Sequence, residues 1–86
     1  MIVHIPSPLH SYTDGKTPVE ANGKTLNALL KDLDRQFPGF LFRIIDEQGE
    51  IREHMRFFLG TKPEFKLNAR LDQVDEVHII CAISGG

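Results

Sequence analysis

The most strongly patterned segment of the sequence is DEVHIICAISGG, residues 75–86. Its apolar side chains alternate with period two, which is typical of a β-strand with one buried face. One face carries Val77, Ile79, Cys81 and Ile83, and the other carries His78, Ile80 and Ala82. The pattern predicts a strand that leads directly into Ser84, Gly85 and Gly86.

The clearest helix is predicted between two turn signals, Asn22-Gly23 and Phe37-Pro38-Gly39. Thr25 comes first and can accept a hydrogen bond from an unpaired first-turn amide as an N-cap. Proline disfavours helical conformation in the residue before it, so the helix ends near Phe37. Apolar residues recur between these limits at helical spacing, at Leu26, Leu29, Leu30, Leu33 and Phe37.

A hairpin is predicted before the helix. Residues 2–5 are mostly β-branched and form a short strand that Pro6-Ser7-Pro8 interrupts. Asp14-Gly15 is a hairpin turn signal because glycine tolerates the positive φ that such turns need. Residues 17–21 then return antiparallel to the first strand.

Two or three strands are predicted after the helix. Residues 50–59 form a strand that Gly60 ends, with a core face of Met55, Phe57 and Leu59 and an outer face of His54, Arg56 and Phe58. Residues 64–67 form a further short strand, and residues 68–76 are a polar connection anchored by Leu71 and Val74. Residues 40–45 are too short to classify, and residues 46–49 are a turn.

This order of elements predicts an α+β roll, with a mixed sheet of four to five strands packed on one main helix. The 86 residues, 41% of them hydrophobic, suffice for one compact domain. We expect that domain over residues 1–83, followed by a flexible tail over residues 84–86.

Composition argues against several classes of function. The formal charge of −2 gives no excess of positive charge for nucleic acid. The apolar runs are far shorter than the ~20 residues of a membrane span. A lone Cys81 and the absence of a signal-peptide pattern point to a reducing cytoplasm.

We find no catalytic motif and therefore expect a protein that is not an enzyme. The histidines lack zinc-ligand spacing, so no metal site is expected. Cys81 lies among core positions and is interpreted as an inert small apolar residue. Pairs of acidic residues such as Asp32 with Asp34 are interpreted as solvated surface charge.

The predicted tail is the segment that we expect to react, through its terminal carboxylate. Glycine has no Cβ, so Gly85 and Gly86 can pass a narrow channel and leave the terminal carboxylate unhindered. In extended form the carboxylate of Gly86 would lie roughly 10 Å beyond Ile83. A carboxylate becomes reactive when it is joined to AMP, and sulfide or a persulfide can then displace AMP to give a thiocarboxylate. A partner would supply the catalytic groups and use the ATP, so the chain itself would bind no cofactor.

Two segments resemble a known family. Residues 75–86, together with Arg56-Phe57-Phe58-Leu59-Gly60, look like the ubiquitin-like sulfur carriers, which have a β-grasp fold. The family includes the molybdopterin synthase small subunit, the thiamine sulfur carrier and carriers linked to cysteine synthesis. The helix entry Gly23-Lys24-Thr25-Leu26 and the stop Phe37-Pro38-Gly39 are most similar to the cysteine-linked and molybdopterin-type carriers.

The resemblance implies a function and partners. A ubiquitin-activating-like adenylyltransferase would adenylate Gly86, which would become a thiocarboxylate, with Gly85 and Ser84 as the tail. A biosynthetic enzyme, of the cysteine or molybdopterin type, would accept the sulfur. Two alternatives stay open: a ubiquitin-like modifier conjugated through Gly86, and a β-grasp interaction module whose glycines are incidental.

A docking surface is the last expectation. Ile80 and Phe58 are predicted on the outer face of the sheet, where apolar side chains suit contact with an activating enzyme. Ile83, directly before the tail, is a further candidate for this contact. A register error of one residue would instead place Ile80 and Phe58 in the core.

Overall fold

The computed structural model describes residues 1–82 and has five strands, one main helix and two short helices. The strands are β1 (Ile2–His4), β2 (Val19–Glu20), β3 (Met55–Leu59), β4 (Lys62–Glu64) and β5 (Glu76–Cys81). The helices are α1 (Leu26–Gln36), α2 (Phe40–Ile44) and a 3₁₀ helix (Ser7–Tyr12). The predicted tail, its boundary with the domain and Ile83 lie outside the described residues.

The sheet is mixed, in the order β2-β1-β5-β3-β4. The central strand β5 runs parallel to β1, with His4 opposite His78, and antiparallel to β3, with Phe57 opposite Ile79. The other neighbouring strands pair antiparallel. The predicted mixed sheet therefore has five strands, and β5 is hydrogen-bonded on both sides.

The first two strands pair as predicted, but a simple turn does not join them. A 3₁₀ helix follows Pro6, with a proline in its first turn, where the missing N–H costs no bond. Asp14 and Gly15 have φ values of 55° and 78°, so the predicted turn chemistry is present beyond that helix. The returning strand is limited to Val19–Glu20.

Helix α1 begins and ends as predicted. The Oγ1 atom of Thr25 accepts a hydrogen bond of 3.2 Å from the Ala28 amide. The first two helical amides, of Leu26 and Asn27, donate to the carbonyls of Ala69 and Leu67. These bonds fix the connection before β5 to the start of α1.

Several loop and strand predictions need correction. Residues 40–45, left unclassified, contain α2, and the predicted strand over residues 50–59 is limited to Met55–Leu59. The predicted short strand over residues 64–67 lies earlier, at Lys62–Glu64, after Gly60 turns the chain with a φ of +64°. Asn22 and Gly23 do not form a turn.

The core lies between the inner face of the sheet and the helices. It contains the apolar stripe of α1 (Leu26, Leu29, Leu30, Leu33), both buried residues of α2 (Phe40, Ile44) and the inner positions of the sheet (Val3, Met55, Phe57, Val77, Ile79). Leu71 is buried and Val74 packs against the cluster, so both predicted anchors are confirmed. Within residues 1–82, no helix has the length and apolar character that crossing a bilayer requires.

Candidate functional site

Strand β5 carries the chain from the centre of the sheet to the predicted tail. Its last paired residue, Cys81, lies opposite Met55. One residue further, the Ala82 amide donates a 2.6 Å hydrogen bond to the carbonyl of His54. The domain therefore holds the chain firmly up to Ala82. The predicted site residues Ile83, Ser84, Gly85 and Gly86 follow in the sequence and lie outside the described residues.

The outer face of the sheet carries the two apolar residues predicted there. Ile80 is 42% exposed and Phe58 is half-buried. Ile80 lies opposite Arg56 and Phe58 opposite His78, so the two apolar residues are diagonal neighbours on one face. Their neighbours Ile79 and Phe57 are buried, which confirms the predicted register. The docking role of Ile80, Phe58 and Ile83 stays a prediction.

A polar cluster beside this surface was missed by the sequence analysis. His4, Glu76 and His78 lie on the adjacent strands β1 and β5, and their ligand atoms are all within 4.8 Å of one another. His4 Nε2 is 2.7 Å from Glu76 Oε1, and the rings of His4 and His78 stack with centroids 4.2 Å apart. The hydrogen bond from His4 lowers the pKa of Glu76, and the nearby imidazoles act in the same direction.

No signal in the sequence could have found this cluster from spacing. His4 and Glu76 are 72 residues apart in the chain. Only the parallel pairing of β1 with β5 brings them together. Spacing rules for zinc ligands describe residues that are close in the sequence, so they do not detect ligands on distant strands.

The acidic pair Asp32 and Asp34 proves to be structural rather than simply solvated. Asp32 is only 9% exposed and accepts hydrogen bonds from the Asn22 amide and the Gln36 side chain, both at 3.0 Å, besides its ion pair with Arg35. Asp34 accepts from the backbone amides of residues 39 and 41, which begin α2. Both acids therefore lie on the surface of α1 as predicted, and in addition each carboxylate fixes a neighbouring segment by hydrogen bonds.

Comparison with known proteins identifies relatives that match nearly the whole chain. No protein-family model matches the chain. The sulfur carrier protein CysO of Mycobacterium tuberculosis is 29% identical over an alignment 89 positions long, which covers 98% of this chain and 96% of CysO. The crystal structure of M. tuberculosis CysO matches with a TM-score of 0.87 at 26% identity, over 95% of this chain and 98% of that one. The chain is homologous to the ubiquitin-like sulfur carrier CysO.

Two further solved structures share the fold. A chain of the Amycolatopsis orientalis BexX/CysO complex matches with a TM-score of 0.88 at 25% identity, over 99% of this chain and 98% of that chain. SAMP1 from Haloferax volcanii has the same fold, with a TM-score of 0.78 at 20% identity over 100% of this chain and 98% of SAMP1. The predicted sulfur carrier resemblance and the β-grasp fold are both confirmed.

In this CysO homologue, a groove lies where the predicted tail leaves the domain. It is lined by Glu53, His54, Arg56 and Ala82. The guanidinium of Arg56 donates to the carbonyls of Glu53 and Met55, and so lies beside the turn that leads into β3. Cys81 is half-buried and packs against the core.

Proposed function

We propose that this protein is a sulfur carrier that transports sulfur as a thiocarboxylate on Gly86. The observation that carries the proposal is the end-to-end homology with the sulfur carrier CysO, in a chain whose central strand leads into a terminal Gly-Gly. Both the sequence match and the shared fold support the carrier role.

The chemistry needs two steps. The Gly86 carboxylate attacks the α-phosphorus of ATP, which releases pyrophosphate and leaves an acyl adenylate. Hydrosulfide then attacks the carbonyl carbon, the bond to AMP breaks, and the thiocarboxylate forms with loss of one proton. No oxidation or reduction occurs, so hydrosulfide is the sole sulfur reagent required.

The fold supports presentation of the tail rather than catalysis. Strand β5 is hydrogen-bonded to a neighbouring strand on each side, and the Ala82 amide is hydrogen-bonded to the carbonyl of His54. These bonds keep β5 in place when a partner binds the tail. The four residues 83–86 can reach at most about 14 Å from that anchor. Such a reach suits insertion into a partner's active site, and the partner would contribute the catalytic groups and bind the ATP.

The outer sheet face is the proposed contact for that partner. Ile80 and Phe58 form an apolar patch near the end of β5, and Ile83 follows this strand in the sequence. The crystallised A. orientalis BexX/CysO complex supports assembly of this kind of carrier with a second protein. We assign the surface to a ubiquitin-activating-like adenylyltransferase, with a sulfur-accepting biosynthetic enzyme as the second partner.

Cysteine biosynthesis is the pathway that fits best, because the relative CysO matches 98% of this chain at 29% identity and the helix-side segments are similar to cysteine-linked carriers. Molybdopterin synthesis is the competing recipient. Conjugation to lysine amines would use the same activated Gly86 and differs only in the final acceptor.

The proposal is tested by ATP–pyrophosphate exchange with a ubiquitin-activating-like adenylyltransferase from the same organism. We expect exchange with the full chain, and none after deletion of Gly86. Ile80→Asp should weaken exchange by raising the KM for the carrier, since a charge replaces an apolar contact. The matched control is Phe42→Asp, because Phe42 is 57% exposed but lies on α2. Exchange that persists without Gly86 would overturn the proposal.

A further inference from the structure

The cluster of His4, Glu76 and His78 has no part in the chemistry of the tail. We propose that these three side chains form a binding site for a divalent transition-metal cation of the Zn²⁺ class on the outer face of the sheet. The proposal is independent of the carrier function, because it uses none of the tail residues.

The backbone positions the three ligands before any cation arrives. His4 and His78 are opposite each other in the parallel ladder, and the pair next to them, Val3 and Val77, is fully buried. Glu76 is two residues before His78 and therefore projects from the same face. The site is built on two strands fixed by the core, so the unfolded chain does not contain it.

The ligand types and charge suit such a cation. Two imidazoles and one carboxylate are the ligand set of many zinc sites that keep an open position. Among residues 1–82, the ion pairs of Glu76 involve only His4, so no lysine or arginine neutralises the carboxylate. With both histidines neutral, the cluster carries one negative charge.

Coordination requires the stacked rings of His4 and His78, which are 5° from parallel with centroids 4.2 Å apart, to rotate out of the stack so that one nitrogen of each ring points at the cation. Ligand atoms around tetrahedral Zn²⁺ are roughly 3.3 Å apart, given metal–ligand bonds near 2.0–2.1 Å. His4 Nε2 and Glu76 Oε1 are 2.7 Å apart, so the cation would replace the hydrogen between them and widen this distance slightly. The remaining ligand separations, up to 4.8 Å, must contract. Both histidine side chains are only half-buried, which leaves them room to rotate.

The arrangement leaves the fourth coordination position facing outward from the sheet. Phe58 lies opposite His78 on β3, so the cation would be next to the apolar docking surface.

The test is calorimetric titration of the untagged full chain with ZnCl₂ in a buffer that does not bind zinc. We expect one zinc per chain, and binding weakened more than about tenfold in His78→Gln and in Glu76→Gln, since even outer-shell changes cost 10–100-fold. His54→Gln is the matched control and should bind as the wild type does, because His54 is exposed and outside the cluster. Affinity should fall on acidification, because the ligands must be deprotonated.

A second measurement separates lost ligation from lost folding. In NMR spectra of the wild-type chain, zinc should shift the ring protons of His4 and His78 and leave those of His10 and His54 in place. Shifts at other histidines instead, equal binding by His78→Gln, or no zinc binding at all would each overturn the proposal.

Discussion

Gly23 is required by a close approach between the backbone and helix α1. A Cβ built on this residue would lie 2.3 Å from the Leu29 nitrogen and 2.8 Å from the Ala28 carbonyl carbon. Both are backbone atoms of the helix and cannot move aside alone. We expect Gly23→Ala to lower the free energy of unfolding by at least about 2 kcal/mol, because overpacking forces the backbone to shift.

Urea denaturation of two glycine positions tests this interpretation. Gly49 has a φ of +81° with nothing within 4 Å of its Cβ direction, so its constraint is purely conformational. Asparagine tolerates positive φ, so Gly49→Asn should cost less than about 1 kcal/mol. Gly23→Asn should cost as much as Gly23→Ala. Similar small losses at both positions would show that the close contact relaxes freely.

Asp32 ties the segment before α1 to the helix through its charge. The hydrogen bond from the Asn22 amide is the main cause that lowers its pKa below the ordinary 3.8, and Gln36 and Arg35 add to the effect. A carboxyl with a lowered pKa stabilises the folded state above its unfolded pKa. That stabilisation is lost as the pH falls through the lower pKa of the folded state.

We therefore expect Asp32→Asn to lower the urea midpoint at pH 7, and the gap to the wild type to shrink as the pH falls below the ordinary pKa of 3.8. The control is Asp75→Asn, because Asp75 is exposed and takes part in none of the ion pairs among residues 1–82. A gap for Asp32→Asn that does not change with pH would mean that its charge contributes nothing.

Two adjacent residues of β5 are expected to differ in role, one contributing to stability and the other to the proposed recognition of a partner. Ile79 is 1% exposed and packs in the core, whereas Ile80 is 42% exposed on the outer face. Thermal and urea denaturation should show a loss of about 2–5 kcal/mol for Ile79→Ala. Ile80→Ala should stay within about 0.5 kcal/mol of the wild type, as surface changes usually do. A large loss for Ile80→Ala would place that residue in the core and remove it from the docking surface.

The elements that sequence could predict are those with a long, regular pattern. Helix α1 has four buried leucines between a cap and a proline stop, and β5 alternates over its full length. Helix α2 has five residues, too few to distinguish a helical period from a strand period. Within the predicted strand over residues 50–59, the Met55 amide donates to the Arg52 carbonyl, so a turn replaces the first half of the strand.

The candidate site was predictable only in part, for a related reason. Ile80 and Phe58 followed from the alternation of their own strands. The His4, Glu76 and His78 cluster depends on which strands pair, and pairing between distant segments is set by the packing of the whole sheet. Gly23 was similarly assigned to a turn, although its role comes from contact with the backbone of Ala28 and Leu29 in helix α1.

The described part of the molecule is a β-grasp domain whose central strand leads to the segment predicted to be a glycine tail. Packing against the core fixes the position of β5. The outer face of the sheet carries the apolar residues Ile80 and Phe58 near the end of this strand. Ala82 is the last described residue that hydrogen-bonds to the rest of the domain. In the proposed function, the folded domain contributes recognition and the last residue contributes the reactive carbon. Every step of sulfur transport therefore depends on the chemical state of Gly86.

That state is measured directly by the intact mass of the full chain after incubation with the adenylyltransferase, ATP and sulfide. We expect a gain of about 16 Da, as sulfur replaces one oxygen after displacement of AMP, and fragment ions that place the gain on Gly86. The chain without Gly86 should show no gain under the same conditions. An unchanged mass for the full chain in a reaction that consumes ATP, or a gain located away from Gly86, would contradict the sulfur carrier function.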